Sequence, residues 1–284
     1  MRHIQHPGPA QGPRLLAQPC SVEHADIRLP AGPSLLAALA EALQDAGADS
    51  AVLALAGGSF APLAWVLPHT APTPEHAVYF SPRHDSAGPA FLLQARVTLG
   101  RREGAPWLHC HAEWEAADGS RHIGHLLPEA CSVATPIAAR ATWLRGAAFA
   151  VVPDEESRFS LFQPRVTAAL ETPAEPAWAL RLAPNADVCT TLAGFCDERG
   201  IRQARLLGGV GSTVGACFDD GRVVGPHITE CFIEQGRIEP DAAGRAQALV
   251  DIAMVDHHGG QHRGRLAAGA NPVLVTFELV LQPA

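Results

Sequence analysis

Apolar residues alternate with polar ones or cluster in short runs along most of the chain, a pattern typical of β-strands. Several runs combine large apolar and β-branched residues and are bounded by Gly, Pro or Asp. They are SAVLALA (50–56), AFLLQARVTL (90–99), PWLHCHAEW (106–114), ARLLGGVG (204–211), ECFIEQGRI (230–238), ALVDIAMV (248–255) and VLVTFELVL (273–281). Each run is predicted to be a strand.

Two further segments show the spacing of amphipathic helices. The first lies between Ser34, a candidate N-cap, and Gly47, and the second lies between Asp187 and Gly200. The apolar positions are Leu35, Leu36, Leu39, Ala42 and Leu43 in the first segment and Val188, Leu192, Phe195 and Cys196 in the second. These positions are expected to belong to the core rather than to a site.

The same succession of elements occurs twice. Without a gap, RLPAGPSLLAALAEALQDAGADSAVLALAGGS from residue 28 aligns with RLAPNADVCTTLAGFCDERGIRQARLLGGVGS from residue 181, and DGSRHIGHL aligns with HGGQHRGRL further along. We therefore predict two tandem copies of one domain, at residues 22–165 and 175–284, joined by the proline-rich linker ETPAEPAW (171–178). One main helix on a mostly antiparallel sheet makes each copy an α+β domain.

Composition narrows the class of protein. The 284 residues are 47% apolar and 18% charged, as in ordinary globular proteins, and no apolar run reaches the length of about 18 residues that would span a membrane. The proline-broken N-terminus lacks an apolar signal core, so we expect a cytoplasmic protein. The seven cysteines form no Cys-x-x-Cys pair, and we expect most of them to be free and buried.

The order of several short motifs resembles the plants-and-prokaryotes-conserved (PPC) domain. These motifs are Arg28-Leu29 before a helix, the Gly57-Gly58-Ser59 turn, the His109-Cys110-His111 strand, Asp118-Gly119, GHLL (124–127) and the closing strand VTFELVL (275–281). The resemblance covers most of both copies. It implies an α+β fold, assembly as a trimer and an association with DNA. The DNA label derives from plant members that also carry AT-hook segments, and this chain has no Arg-Gly-Arg-Pro hook.

The candidate chemistry lies in LHCHAEWEAADGSRHIGHLLPE (108–129). His109 and His111 are two residues apart on a predicted strand, so both side chains leave the same face, whereas Cys110 points the other way. With His125 they would form a three-nitrogen site that suits Zn²⁺ or another divalent transition metal and keeps a coordination position open. Glu113, on the same face, is a candidate fourth ligand, orienting group or catalytic base.

Whether His125 joins the pair depends on the register of the hairpin. A two-residue turn at Asp118-Gly119 sets His111 opposite Leu126 and puts His125 on the wrong face. A three-residue loop, 118–120, sets His125 opposite Glu113 on the face of the other two histidines. A bulge at the glycine of position 124 would also bring His125 to that face. The sequence leaves these alternatives open.

The second copy lacks all three histidines. In the alignment, His109, His111 and His125 correspond to Leu249, Asp251 and Arg265, while the flanking apolar pattern is kept. The fold therefore does not need the imidazoles. This favours a functional role in the first copy over the structural alternative of half-buried polar residues at a sheet face or a subunit interface.

Other polar segments are expected to lie in solvent or in turns. They include His122, the segment PEHAVYFSPRHD (74–85) with His76, Arg83, His84 and Asp85, the segment PHITE (226–230) with His227 and Glu230, and the His257-His258 turn. The segment 74–85 lies in a stretch that the second copy shortens by 13 residues, so its side chains remain candidates for lining a pocket. GGVGSTVG (208–215) lacks the lysine of a phosphate-binding loop and is expected to form a bend between strands.

Three functions remain open. The first is a metal-dependent protein that binds or transforms a small molecule at His109, His111 and His125, and the sequence does not decide whether a reaction is catalysed. The second is the DNA-associated regulator that the resemblance implies. The third is an assembly module without chemistry.

We predict that the protein does not bind duplex DNA tightly. The net charge is −8, and the 21 basic residues, all arginine, are scattered along the chain. Non-specific affinity depends on the number of phosphates that a protein neutralises at once, and this chain has no basic cluster for that purpose. A fluorescence anisotropy titration with random duplex at about 150 mM salt should show no sub-micromolar binding, whereas non-specific contacts typically give about 10⁻⁴–10⁻⁶ M. Sub-micromolar binding would contradict the electrostatic argument.

Overall fold

A computed structural model describes residues 2–168 and 176–284 of the chain. The described residues form a mostly antiparallel β-structure with two helices, which confirms the predicted α+β class. The N-terminal half, as used below, is residues 15–166, and the C-terminal half is residues 176–284.

The N-terminal half contains one helix and fourteen strands, several of them very short. In chain order they are β1 (Leu15–Leu29), α1 (Leu35–Asp45), β2 (Ser50–Ala56), β3 (Ser59–Phe60), β4 (Ala64–Val66), β5 (Pro68–Thr70), β6 (Val78–Phe80), β7 (His84–Asp85), β8 (Ala90–Arg102), β9 (Ala105–Glu115), β10 (Arg121–Leu126), β11 (Val133–Thr135), β12 (Ile137–Arg145), β13 (Ala147–Pro153) and β14 (Ser160–Val166).

The C-terminal half contains one helix and six strands. They are β15 (Pro176–Leu182), α2 (Val188–Glu198), β16 (Ala204–Cys217), β17 (Val223–Pro240), β18 (Ala246–Asp256), β19 (Gln261–Arg265) and β20 (Val273–Pro283). The runs of alternating apolar residues in the sequence coincide with β2, β8, β9, β16, β17, β18 and β20, as predicted.

The main strands of the two halves follow one order. In the N-terminal half the neighbours are β1, β12, β2, β8, β9 and β10, and every pair is antiparallel. In the C-terminal half the neighbours are β15, β20, β16, β17, β18 and β19, again all antiparallel. A duplicated domain would give this match, and the repeat itself stays a prediction.

Strand β1 belongs to the sheets of both halves. Its residues 21–29 pair with β12, and its residues 15–21 pair with β15, so the two sheets are joined edge to edge. The strand thus begins seven residues before the predicted domain boundary at residue 22. The first five residues of the predicted linker, 171–175, lie outside the described residues, and its last three residues, Pro176–Trp178, lie in β15.

Each half has its own apolar core, in which the helix packs against the inner face of its sheet. In the N-terminal half Leu35, Leu39 and Leu43 of α1 pack with residues such as Trp114 of β9. In the C-terminal half Leu192 and Phe195 of α2 belong to the corresponding core. The assignment of the predicted helical positions to the core is borne out, although Leu36 and Ala42 are only partly buried.

The predictions about the cysteines and about membrane-spanning segments can be checked against the described residues. All seven cysteines are free, and six of them are buried while Cys217 is half-buried. Among the helices in the described parts of the chain, neither has the length and apolar character needed to cross a membrane.

The two helices begin at caps of unequal strength. Ser34 accepts one hydrogen bond, from Ala37 N at 3.2 Å. Asp187 accepts four, from the backbone N–H and hydroxyl of Thr190 at 2.8 and 2.9 Å and from the backbone N–H groups of Gly269 and Asn271 at 3.0 and 2.7 Å. Asp187 therefore fixes both the start of α2 and the loop before β20.

We predict that Asp187→Ala destabilises the protein much more than Ser34→Ala does. Loss of a simple serine cap costs about 1 kcal/mol, whereas removal of a buried carboxylate leaves several donors unpaired and costs about 3 kcal/mol. Urea unfolding followed by circular dichroism measures both free energies of unfolding. Equal losses for the two variants would show that the extra hydrogen bonds of Asp187 do not contribute.

Candidate metal site

The β9–β10 hairpin brings three histidines to one face of the sheet. Its strands pair His125 directly with His111, and Glu115 with Arg121. The backbone of Ala116 hydrogen-bonds with Ser120, so the loop consists of residues 117–119. This register differs from both pairings considered from the sequence, His111 with Leu126 and His125 with Glu113. The face on which His125 lies is nevertheless that of the three-residue alternative, because the shift between the two registers is an even number of residues.

Gly124 does not form the bulge that the sequence suggested, since the β9–β10 ladder is regular through this residue. It allows a close contact instead. A β-carbon at this position would lie 2.9 Å from Cδ1 of Trp65 and 3.3 Å from the Trp114 ring. The glycine therefore lets two tryptophans pack beneath the histidine hairpin.

The ring nitrogens of the three histidines converge. His109 Nε2 lies 3.1 Å from His111 Nε2, which lies 3.3 Å from Nδ1 of His125. One nitrogen from each ring lies within 4.8 Å of the other two. The predicted convergence of the three side chains is thus present, and it is the one group of this kind found among the described residues.

The C-terminal half supplies the hydrogen-bond partners of these rings. Nδ1 of His109 lies 2.7 Å from Oε2 of Glu278 on β20, and Nδ1 of His111 lies 2.8 Å from the carbonyl oxygen of Cys231 on β17. The carbonyl can only accept, so Nδ1 of His111 carries the hydrogen and, in the neutral ring, its Nε2 presents a lone pair. An ionised Glu278 imposes the same tautomer on His109.

Glu230 is the carboxylate beside the histidines. Its Oε1 lies 3.6 Å from His125 Nδ1 and 3.8 Å from His111 Nε2. Its Oε2 is buried and has no hydrogen-bond partner among the described residues. Buried carboxylate oxygens are rarely left in this state, so this oxygen is a candidate contact for a water molecule, an ion or a ligand.

Burial determines the protonation of the site. It lowers the pKa of His109 to about 3, together with the repulsion from His125. It also lowers the pKa of His111 to about 3, although the Glu230 carboxylate opposes this shift. Both rings are neutral at pH 7, which is the form that binds metal ions.

The two glutamates are shifted in opposite directions. Burial raises the pKa of Glu278 to about 7, although the hydrogen bond from Thr276 and the charge of Arg181 oppose it. Burial works in the same direction at Glu230, but the adjacent imidazoles outweigh it, so the pKa of Glu230 lies below its usual value. Glu230 is therefore the ionised carboxylate of the site at neutral pH.

Glu113 occupies a different place. It lies on the same strand and face as the histidines, but its Oε2 accepts hydrogen bonds from Arg263 at 2.7 Å and from Gln94 at 2.9 Å. The Arg263 side chain also forms an ion pair with Glu234. Glu113 thus helps to hold the two halves together. Its predicted role at a metal stays a prediction, and the contacts favour Glu230 for that place.

The C-terminal half has an ion pair where the N-terminal half has histidines. Asp251 and Arg265 are directly opposite each other on β18 and β19, as His111 and His125 are on β9 and β10. Arg265 Nε lies 3.0 Å from Asp251 Oδ1. The sequence alignment of these positions therefore matches the strand register, and the C-terminal counterpart has no imidazole.

A cavity of about 410 Å³ opens beside the histidines. Its floor includes His109, His111, His125, Glu230 and Glu278. Its walls are mainly apolar and come from both halves; they include Tyr79, Phe80, Trp107, Phe159, Phe162 and Leu274. The site is thus accessible to a small molecule.

The other polar and glycine-rich segments singled out in the sequence have different outcomes. His122 is half-buried against Trp114 and lies away from the trio, so it is less exposed than expected. In the His257-His258 turn, His258 is exposed as expected, whereas His257 is half-buried. Arg83 lines the cavity and is ion-paired with Asp85, so the segment 74–85 does contribute to a pocket. The glycines at 208 and 209 lie inside β16 at a register shift rather than in a bend between strands.

Sequence reasoning missed the groups that come from the C-terminal half. Glu230 was expected in solvent before a strand, but it lies within β17 and is buried, which corrects that expectation. Glu278 was noted only as part of the β20 motif. A buried position inside an apolar strand was the available signal for both residues, because an isolated charge there needs a partner.

Comparisons with known proteins give structural neighbours only. No family model matches the chain, and no curated protein matches it. Among solved structures, the chain is similar to a plant- and prokaryote-conserved (PPC) protein from Pyrococcus horikoshii, at 16% identity and a TM-score of 0.42, over 54% of this chain and 96% of that one.

Two further neighbours have comparable scores. A metal-containing protein from Archaeoglobus fulgidus matches at 16% identity and a TM-score of 0.40, over 57% of this chain and 99% of its own. A protein from Ralstonia eutropha JMP134 whose name refers to DNA binding matches at 16% identity and a TM-score of 0.40, over 49% and 89%. The presence of a PPC protein among the neighbours agrees with the sequence resemblance. Likeness of this size carries no argument about the ligands or activity of this chain.

We predict that His111 makes the metal-free protein sensitive to acid. Its pKa is about 3 in the folded state and has the usual value of about 6.5 in the unfolded state, so unfolding takes up a proton between these pH values. Stability present above pH 6.5 is therefore lost as the pH falls, by up to about 1.4 kcal/mol per pH unit.

The measurement compares wild type with His111→Asn by urea unfolding in EDTA between pH 6 and pH 4. Asparagine does not titrate and can still donate a hydrogen bond to the Cys231 carbonyl. Wild type should lose stability more steeply by about that amount, while the contribution of Glu278, which has the opposite sign, remains in both proteins. Parallel slopes would show that His111 is not held neutral by burial.

Proposed function

We propose that the protein binds a divalent transition metal, with zinc the best match, through His109, His111 and His125. The observation that carries the proposal is the convergence of three ring nitrogens at 3.1 and 3.3 Å. Ligand atoms at about 2.0–2.1 Å from a tetrahedral zinc lie about 3.3 Å from one another. The spacing of these nitrogens therefore suits a common ion.

The hydrogen bonds behind the rings support the same assignment. The hydrogen bond to the Cys231 carbonyl leaves a lone pair on Nε2 of His111, and an ionised Glu278 does the same for Nε2 of His109. In that state two lone pairs lie 3.1 Å apart and repel each other unless a cation or a proton lies between them. Burial lowers the pKa of both rings, which disfavours the proton. A metal ion satisfies both nitrogens at once.

Glu230 is the proposed fourth group at the metal. Its Oε1 is 3.6 Å from His125 Nδ1 and 3.8 Å from His111 Nε2, and its Oε2 lacks a partner among the described residues. Its negative charge would partly neutralise the ion in a buried setting. When bound, zinc supplies Lewis-acid chemistry, and this chain would orient a small molecule beside it in the cavity.

We also propose that the chain consists of two copies of one domain, at residues 22–165 and 175–284, and that the two copies have different roles at the metal site. The N-terminal copy holds the metal-binding histidines. The C-terminal copy carries the Asp251–Arg265 ion pair at the corresponding positions and contributes Glu230 and Glu278 to the site of its neighbour. The common strand order and the aligned cross-strand pairs support this view. Trimer formation, weak or absent DNA binding and a cytoplasmic location stay predictions.

We predict that the purified protein contains about one transition metal ion per chain by elemental analysis. His111→Ala should abolish retention because two imidazoles hold zinc poorly. Glu230→Gln should weaken the affinity for zinc at least about tenfold. His122→Ala is the matched control, since this histidine lies on the same hairpin outside the trio, and it should keep its metal. The proposal fails if the variant with all three histidines replaced by alanine retains as much metal as wild type.

A further inference from the structure

We propose that the cavity is a binding site for a small molecule that combines an oxygen-bearing head group with a flat aromatic body. The head group would face Glu230 and the histidines, and the aromatic body would lie against Phe80, Tyr79 and Phe159. This inference names the ligand class for the site proposed above. Only its head-group contact rests on the presence of the metal.

The aromatic residues form one side of the cavity in contact with the histidines. The Phe80 ring lies edge-on to His125, with centroids 5.1 Å apart. Phe159 lies 6.1 Å from Phe80 and stacks on Tyr79 at 5.8 Å. Aromatic pairs prefer edge-to-face and offset-stacked arrangements, so this wall offers ring faces and edges against which an aromatic ligand can pack. Tyr79 is 41% exposed, so part of this wall is open to an incoming ligand.

The floor offers polar contacts for a head group. Glu230 Oε2 is a buried acceptor without a partner among the described residues. The Ser212 hydroxyl oxygen accepts a hydrogen bond from Val275 N at 3.0 Å, which leaves its hydrogen to donate. A head group with both an acceptor and a donor oxygen or nitrogen would satisfy these two side chains.

The size of the cavity fits this class of ligand. Its volume is about 410 Å³, and small-molecule sites typically measure roughly 300–1,000 Å³ with mainly apolar walls and a few polar groups. A single aromatic ring with a short polar substituent would bury its apolar face while its polar end reaches the floor.

The aromatic side belongs to the N-terminal half alone. Tyr79 and Phe80 lie on β6, which pairs with β5 in a separate hairpin, and Phe159 precedes β14. The loop between β16 and β17, at the corresponding place in the C-terminal half, contains only residues 218–222. The N-terminal half therefore contains both the three histidines and the aromatic side of the cavity.

The test uses two probes with one head group, benzohydroxamate and acetohydroxamate. Wild type should bind benzohydroxamate at least about tenfold more tightly than acetohydroxamate, because the phenyl ring buries much more apolar surface than a methyl group. Phe159→Ala and Tyr79→Ala should each reduce this preference severalfold and leave the affinity for acetohydroxamate unchanged. Tyr79→Ala removes a partly exposed side chain and therefore serves if Phe159→Ala does not fold.

The control variant is Phe91→Ala, which removes a 52% exposed phenylalanine that does not line the cavity. It should keep the wild-type preference. Isothermal titration gives the affinities, and elemental analysis of each sample gives its metal content. An equal affinity of wild type for both probes, or a preference that survives both cavity variants, would overturn the proposed ligand class.

The metal-free variant His111→Ala separates this inference from the proposed function. Ligand-observed NMR should show weaker binding of both probes but a preserved preference for the phenyl ring. Metal bound without that preference defeats the ligand class and leaves the metal proposal standing. A wild-type protein that shows the preference but contains no metal defeats the metal proposal and supports the ligand class.

Discussion

Burial of the β9–β10 hairpin against the C-terminal half is the contact on which the site depends. The hairpin alone places three histidines on one face, but it does not orient their rings. The carbonyl of Cys231 fixes the tautomer of His111, and Glu278 holds the ring of His109. The same contact buries His109 and His111, which lowers the pKa of both rings and keeps them neutral at pH 7. The ring orientations of His109 and His111, the tautomer of His111 and the neutral state of both rings therefore all follow from the packing of this hairpin against the C-terminal half.

This arrangement explains how two similar halves can differ in role. On the C-terminal hairpin, Asp251 and Arg265 satisfy each other across the strands and need no further partner. On the N-terminal hairpin, the equivalent histidines lie 3.3 Å apart at their ring nitrogens and have partners on the C-terminal half, the Cys231 carbonyl and Glu230. The imidazoles of one half thus correspond to a self-contained ion pair in the other half, and under the proposed function only the histidines bind an ion.

The sequence predicted the parts of the molecule that depend on local pattern. Alternating apolar residues located seven of the twelve main strands, and cap residues located both helices. The same-face placement of His109 and His111 followed from the strand period. The hairpin register did not follow, because the loop of residues 117–119 differs from the two alternatives by shifts of one and two residues, and no residue preference determines such a shift. Glu230 and Glu278 were missed because they reach the histidines from more than 100 residues away, through packing between halves.

The unsatisfied groups at the site have a common energetic meaning. Buried acceptors without donors are costly in a low-dielectric interior, and Oε2 of Glu230 is such an acceptor among the described residues. When Glu278 is ionised, Nε2 of His109 and Nε2 of His111 also face each other as acceptors at 3.1 Å. Nothing in the core packing requires them, since the C-terminal half folds with the same strand order without these imidazoles. Under the proposed function, a bound cation and a small molecule in the aromatic-walled cavity would offset this cost.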